Sequence, residues 1–378
     1  MSTIGEAMVV LLPEGQRPLV ETRRFDTAIG GAEFNVASSL ARLGAPAHWL
    51  SRLGDDGFGE YVLEVAREAG VAVDAVEIDA TRSTGIYVKE TVTDADGSRS
   101  PRMHYYRTGS AASVITSGYF DRAESRAVFA ASAIVHTSGI TPALSEDTAE
   151  AVRDLRAHLA PQSSLSVDLN YRPRLWTDQS TDPLLRLIGQ ADLLFLGVDE
   201  SEAFFGHADA ARLFADYPRL TRIVFKNDAT SAITVHRDGP THEVPCLTVD
   251  VVETVGAGDA FAAGYLYGVA AGLDDVAATR IGHATAASTL ICHGDRPDHV
   301  PDPDELRTVI AASDDEWAGW RVSADRPFPW ATGGAGEADG GVRESDGGAR
   351  ESDGGARESD GGAAGRGTIA VEQRTMGA

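Results

Sequence analysis

Apolar and polar positions recur with two periods along most of the chain. A period near 3.6 places Val36, Leu40 and Leu43 on one face of a helix from Ala32 to Leu43, and Gly44 supplies its stop. Phe58 to Ala69 repeats the pattern and ends at Gly70. Shorter apolar runs at Ile4 to Leu12, Thr84 to Thr93 and Arg102 to Arg107 read as strands, the last two around the turn Asp94-Ala95-Asp96-Gly97. From Ala133 onward strand and helix patterns alternate: Ala133 to His136, Ser145 to Leu159, Leu165 to Leu169, Pro183 to Ile188, Asp192 to Leu196, a helix near Asp199, and Ile223 to Phe225. A hairpin about Asp238-Gly239 follows, then helices from Gly256 and from Val276 to Cys292. The alternation predicts an α/β fold, a mostly parallel sheet covered by helices. Ligands of such sheets bind beyond the carboxyl ends of the strands, where the glycine turn at 256 also falls.

Composition narrows the picture. With 378 residues, 43% of them hydrophobic, the chain can bury one large core. No apolar run reaches transmembrane length and no charged, then apolar leader opens the chain, which predicts a cytoplasmic protein without a membrane partner. Cys246 and Cys292 stand alone, against a disulfide scaffold or a zinc site and in favour of a reducing compartment. A formal charge of −24 excludes nucleic acid as a partner, because that needs a basic face. Of 33 basic residues two are lysines, and this skew with the acid excess points to salt adaptation or to a GC-rich genome.

From Val322 the composition changes, and Gly341 to Gly362 carries Arg-Glu-Ser-Asp-Gly-Gly three times at a seven-residue step without an apolar a/d pattern. This divides the chain into a globular body, 1–321, and a disordered tail, 322–378. The tail's charges nearly cancel, so about −20 of the charge belongs to the body.

The candidate chemistry centres on Glu253-Thr254-Val255-Gly256-Ala257-Gly258-Asp259-Ala260-Phe261. Backbone amides of Gly256, Ala257 and Gly258 at a helix start make a pocket for an anion. Asp259 beside them would repel a resting phosphate, so it makes better sense as a proton acceptor while the amides take up developing charge. A glycine turn with an Asp N-cap is the plain alternative. The dinucleotide fingerprint fails because position 261 is Phe, and a Walker loop fails because neither Lys89 nor Lys226 follows glycine. His236-Arg237-Asp238 imitates a protein-kinase catalytic loop, but Glu243 stands where its Asn would be and a hairpin explains it better.

Gly30-Gly31-Ala32-Glu33-Phe34-Asn35-Val36-Ala37, Leu43-Gly44 and Gly256-Ala257-Gly258-Asp259 together resemble the two signatures of the ribokinase-like (PfkB) sugar kinases, over roughly Thr3 to Pro303. Within that family Tyr105-Tyr106-Arg107, Thr137 to Thr141, Asp168-Leu169-Asn170-Tyr171-Arg172 and Leu175-Trp176 resemble the 2-keto-3-deoxygluconate kinases. The resemblance implies a ribokinase-like, doubly wound sheet with a small β lid near 9–29 and 84–107. It also implies ATP and Mg²⁺ as cofactors, a sugar-acid substrate, and the lid as a candidate surface for a homo-oligomer.

It implies a sugar seat formed by Gly30, Gly31, Asn35, Tyr87, Tyr105, Arg107, Ile140 and Arg172, with Asp259 as base. Arginine's planar fork suits the carboxylate of a sugar acid. Asn170, Arg172, Lys226, Asn227, Asp228, Gly256 and Gly258 would face the nucleotide, and Asp199 and Glu202 would serve Mg²⁺ indirectly. The chain departs from the pattern at Glu253, where the family usually has Asp, at Asp199-Glu200-Ser201-Glu202 in place of Asn-x-x-Glu, and at Lys226 to Ala232, where both usual glycines are replaced. A neutral-sugar kinase of the same family, such as a fructokinase or ketohexokinase, and a non-catalytic sugar-binding relative are the alternatives.

Overall fold

The computed structural model describes residues 1–16, 18–93, 99–294, 296–297 and 299–330. The expected turn at Asp94 to Gly97 and the repeat tail from 331 onward lie outside the described residues.

In chain order the strands are β1 (Ser2–Ile4), β2 (Met8–Pro13), β3 (Phe25–Gly30), β4 (His48–Leu50), β5 (Arg52–Gly54), β6 (Glu77–Asp79), β7 (Ile86–Thr93), β8 (Arg99–Tyr106), β9 (Ile134–Ser138), β10 (Ser164–Asp168), β11 (Leu193–Gly197), β12 (Arg222–Asn227), β13 (Ser231–His236) and β14 (Thr241–Pro245). Eight of them form one sheet in the order β14-β13-β12-β11-β10-β9-β1-β4. The pairs from β4 to β12 are parallel, and the predicted hairpin adds β13 and β14 antiparallel at one edge. Both faces are buried: along β11, Leu194 and Leu196 enter one apolar cluster while Leu193 and Phe195 enter another. A strand covered on both sides reads as a continuous apolar run, as Leu193-Leu194-Phe195-Leu196 does.

A second sheet, β3-β2-β7-β8, sits over the C-terminal ends of the main strands and forms the lid. The single strand expected from Ile4 to Leu12 is corrected here, because the chain leaves the main sheet after Ile4 and enters the lid at Met8. The first piece and the start of the second, Met8 to Val10, are buried, so the apolar pattern runs on through the break. Gly5 permits the change of direction, since a side chain there would collide with the Glu33 carboxyl.

The helix Ala257–Ala270 is apolar nearly all round because it is wedged between the sheet and the helix Asp275–Leu290. A methyl at Gly264 would lie 2.6 Å from the Ile281 carbonyl oxygen, and one at Gly268 would lie 2.7 Å from the Ala278 Cα. Small residues thus let the two helices approach backbone to backbone, which fixes where the N-terminus of the first one points.

The body also extends past the boundary expected at 321. Arg321–Val322 pairs with Thr248–Val249, and buried Val322 and Trp330 pack with Val244 and Trp317. Among the described residues no helix is long and apolar enough to cross a membrane.

Candidate active site

Between the lid and the strand ends lies a cleft of about 760 Å³. Its floor is the start of the helix Ala257–Ala270, where Gly256 adopts a left-handed conformation, φ 81°. The first-turn amides have no preceding helical carbonyl to bond, and that of Ala257 makes only a long contact, 3.4 Å, to the Thr254 carbonyl. The amides and the positive end of the helix dipole therefore face the cleft.

Asp259 stands in the first turn. Asn35 Nδ2, from the helix Ala32–Arg42 packed alongside, donates to Asp259 Oδ2 at 2.8 Å. Burial raises the Asp259 pKa to about 7; the Asn35 bond and the Lys226 charge lower it, whereas Asp168 and Glu33 raise it. A carboxyl poised near neutrality suits a general base. Asn35, expected at the sugar seat, lines the cleft and also holds the Asp259 carboxylate.

Lys226, the penultimate residue of β12, reaches under the glycine turn. Its Nζ donates to Asp168 Oδ2 at 2.7 Å and lies 3.5 Å from where a methyl on Gly258 would sit. Burial works against its charge, but Asp168, Glu200 and Asp259 outweigh that and raise its pKa. Asn170 (φ 36°) and Asp228 (φ 44°) are the non-glycine residues with positive φ among those described, and both line the cleft. Such conformations cost energy and concentrate at functional sites.

On the lid side, Tyr87 is nearly buried and its ring lies 5.4 Å from that of the more exposed Tyr105. Arg107 has its guanidinium 5.9 Å from the Tyr105 ring centre and pairs with Glu6, which is 1% exposed and also accepts from Ser110 Oγ at 2.5 Å. Ile140 and the exposed Arg172 complete this end. An adjoining, more apolar pocket of about 470 Å³ shares Lys226, Asp228, Thr254 and Gly258 with the cleft and continues past Ala257 to Leu247, Val249 and Ala286.

The family model for pfkB carbohydrate kinases matches residues 1–303. The chain belongs to the pfkB family of carbohydrate kinases. It is 32% identical to a 2-dehydro-3-deoxygluconokinase of Bacillus subtilis, over 82% of this chain and 95% of that one. A 2-dehydro-3-deoxygalactonokinase of Haloferax volcanii is 33% identical over 82% and 96% respectively. Among solved structures, a fructokinase from Xylella fastidiosa with bound ATP shares 26% identity at a TM-score of 0.67, covering 82% of this chain and 97% of its own. This protein is therefore a sugar kinase, with the ribokinase-like fold.

The kinase brings most of the expected residues to one cleft. Gly31 lines it, at φ 149°, while Gly30 is buried behind as the end of β3. Asn227 continues β12 but does not line the cleft. Of the two acids expected near Mg²⁺, Asp199 lines the cleft, whereas Glu202 is exposed and does not. The acid between them in sequence turns inward instead: Glu200 accepts from the amides of Tyr171 at 2.5 Å and Gly197 at 3.0 Å. Burial and neighbouring Asp168 raise its pKa.

Three further acids escaped the sequence reading. Glu6 grips Arg107, Asp168 grips Lys226, and buried Glu33 accepts from Ser138 N at 3.0 Å, Ser138 Oγ at 2.6 Å and Thr141 Oγ1 at 3.1 Å. Only their place inside the recognised motifs, as for Glu33 in Gly30 to Ala37 and Asp168 in Asp168 to Arg172, could have signalled two of them.

Proposed function

We propose that this kinase transfers the γ-phosphoryl group of ATP to the terminal hydroxyl of a sugar acid, with 2-keto-3-deoxygluconate as the substrate and 2-keto-3-deoxy-6-phosphogluconate as the product. The observation that carries the reading is the placement of a carboxyl with a pKa of about 7, Asp259, in the first turn of a glycine-turn helix N-terminus, with a guanidinium, Arg107, lining the same cleft. The sugar's two ends ask for those two groups.

Asp259 takes the hydroxyl proton as that oxygen bonds to the γ-phosphorus and the bond to the β-γ bridging oxygen breaks. The amides of Gly256, Ala257 and Gly258 stabilise the charge on the transferring group, and Lys226 adds a cation from below. Arg107, held by Glu6, and Arg172 receive the sugar carboxylate, while Gly31 lets the sugar approach backbone and Tyr87, Tyr105 and Ile140 wall it in. The apolar pocket next to Ala257 suits a nucleotide base, with Asn170 and Asp228 beside the phosphates.

Among the described residues no group of three or more His, Cys, Asp or Glu is arranged to hold a metal by itself. That fits Mg²⁺, which is commonly held by phosphates, water and one or two carboxylates; Asp199 and Glu200 are the carboxylates at hand. When bound it would neutralise phosphate charge. The reading is tested by ATP-dependent phosphorylation across sugar acids and ketoses: kcat/KM should be highest for a 2-keto-3-deoxy sugar acid, and a higher value for fructose would overturn it.

A further inference from the structure

The chain uses arginine for nearly all its basic residues, and its two lysines flank the same glycine turn. Lys226 lies beneath Gly258. Lys89, on lid strand β7, forms an ion pair with Glu253, three residues before Gly256. The Lys89 side chain is 8% exposed and that of Glu253 14%. Neither lines the cleft, but each adjoins a residue that does: Tyr87 lies two positions before Lys89 on the same face of β7, and Thr254 follows Glu253.

Glu253 is held firmly from the body. Its Oε2 accepts from the Gly294 amide at 3.2 Å, and its own amide donates to the Leu290 carbonyl at the end of the helix Asp275–Leu290. Its departure from the Asp of the family pattern adds one methylene, and the carboxylate meets the lid.

We propose that the Lys89–Glu253 pair is a latch that holds the lid against the catalytic turn, making Lys89 a positioning residue for phosphoryl transfer. Seating of the sugar against Tyr87 and alignment of the Gly256-Ala257-Gly258 amides are then coupled through one buried contact. A latched lid also excludes water, the competing acceptor for the phosphoryl group. The inference rests on the kinase reading above.

The test compares Lys89→Met, Glu253→Gln, their double variant and the reciprocal swap Lys89→Glu/Glu253→Lys in the full chain. Each single variant should lower kcat with the sugar acid at least tenfold, leave KM for ATP within threefold, and raise sugar-independent ATP hydrolysis relative to transfer. The double variant should be no worse than either single one, and the swap should recover part of the loss. Multiplying losses in the double variant, or a kcat within threefold of wild type in the singles, would overturn the latch. If the neutral variants fold poorly, Lys89→Arg, which keeps the charge, should hold kcat within threefold of wild type, and a tenfold loss in a folded Lys89→Arg would overturn the latch. Hydrogen exchange separates this inference from the functional reading: amides of β7 should exchange at least tenfold faster in Lys89→Met whatever the substrate is, and unchanged exchange would contradict the latch.

Discussion

At the scale of single residues, two cations of the site are each held by a buried acid, Arg107 by Glu6 and Lys226 by Asp168. Arg107 shows what that arrangement does. Its partner Glu6 is buried, so removing the guanidinium strands an acid as well as emptying the proposed carboxylate seat. Arg107→Ala should weaken the sugar acid by about 2–4 kcal/mol, the scale of a charge-assisted pair of hydrogen bonds, and should also lower Tm. Adding Glu6→Gln should restore Tm without restoring affinity, measured by calorimetry and by KM. Recovery of both together would make Arg107 structural. The sequence named Arg107 but not its partner, because Glu6 and Arg107 are separated by about a hundred residues and no local pattern links them. Asn35 and Asp259 are farther apart still, and there the motifs alone brought both residues forward.

Elements were more legible than their partners. The helix expected at Ala32 to Leu43 is Ala32–Arg42, and that expected at Val276 to Cys292 is Asp275–Leu290, because a 3.6 period with a clear stop depends on the segment itself. The strand expected from Ile4 to Leu12 divides between two sheets, and a change of sheet leaves no mark on a run that stays buried to Val10 and half-buried at Leu11 and Leu12. The inward turn of Glu200 rather than Glu202 is a matter of helix phase at the first turn of Val198–Phe205, which sequence spacing alone leaves open.

The helix that carries Asp259 gives a prediction at this scale. Gly264→Ala puts a methyl 2.6 Å from the Ile281 carbonyl oxygen and 2.9 Å from the Gly282 Cα, so the two helices must part. Stability should fall by about 1–3 kcal/mol in denaturant titration, the usual cost of overpacking, and kcat should fall with it as the N-terminus shifts. Gly272→Ala, at φ 73° with open space around it, should lose stability through backbone strain but keep kcat. Equal kcat in the two variants would show that the helix seam does not set the site.

For the whole molecule the excess of acid is the dominant physical fact. A body of about −20 repels itself, and salt screens that repulsion over ~10 Å at 0.1 M and ~3 Å at 1 M. The same screening weakens the attraction between Arg107 and a sugar carboxylate, although a contact within a closed cleft is screened less than scattered surface acids. Tm should therefore rise between 0.1 and 2 M KCl while KM for the sugar acid rises less than tenfold. A flat or falling Tm would assign the acidity to genome composition.

Asp259, at the glycine turn, is the proposed base for phosphoryl transfer to a sugar acid. Its raised pKa means that the fold favours the protonated form: the cost to stability grows as pH rises from the unfolded value of 3.8 towards about 7, the same range over which the base becomes active. The most direct test is kcat/KM for 2-keto-3-deoxygluconate as a function of pH in wild type and Asp259→Asn. The wild-type profile should rise through about pH 7, and the variant should lose both that limb and roughly 10²–10⁴ in turnover, while keeping sugar binding and gaining Tm above neutral pH. Turnover within threefold of wild type, with the alkaline rise intact, would contradict the account.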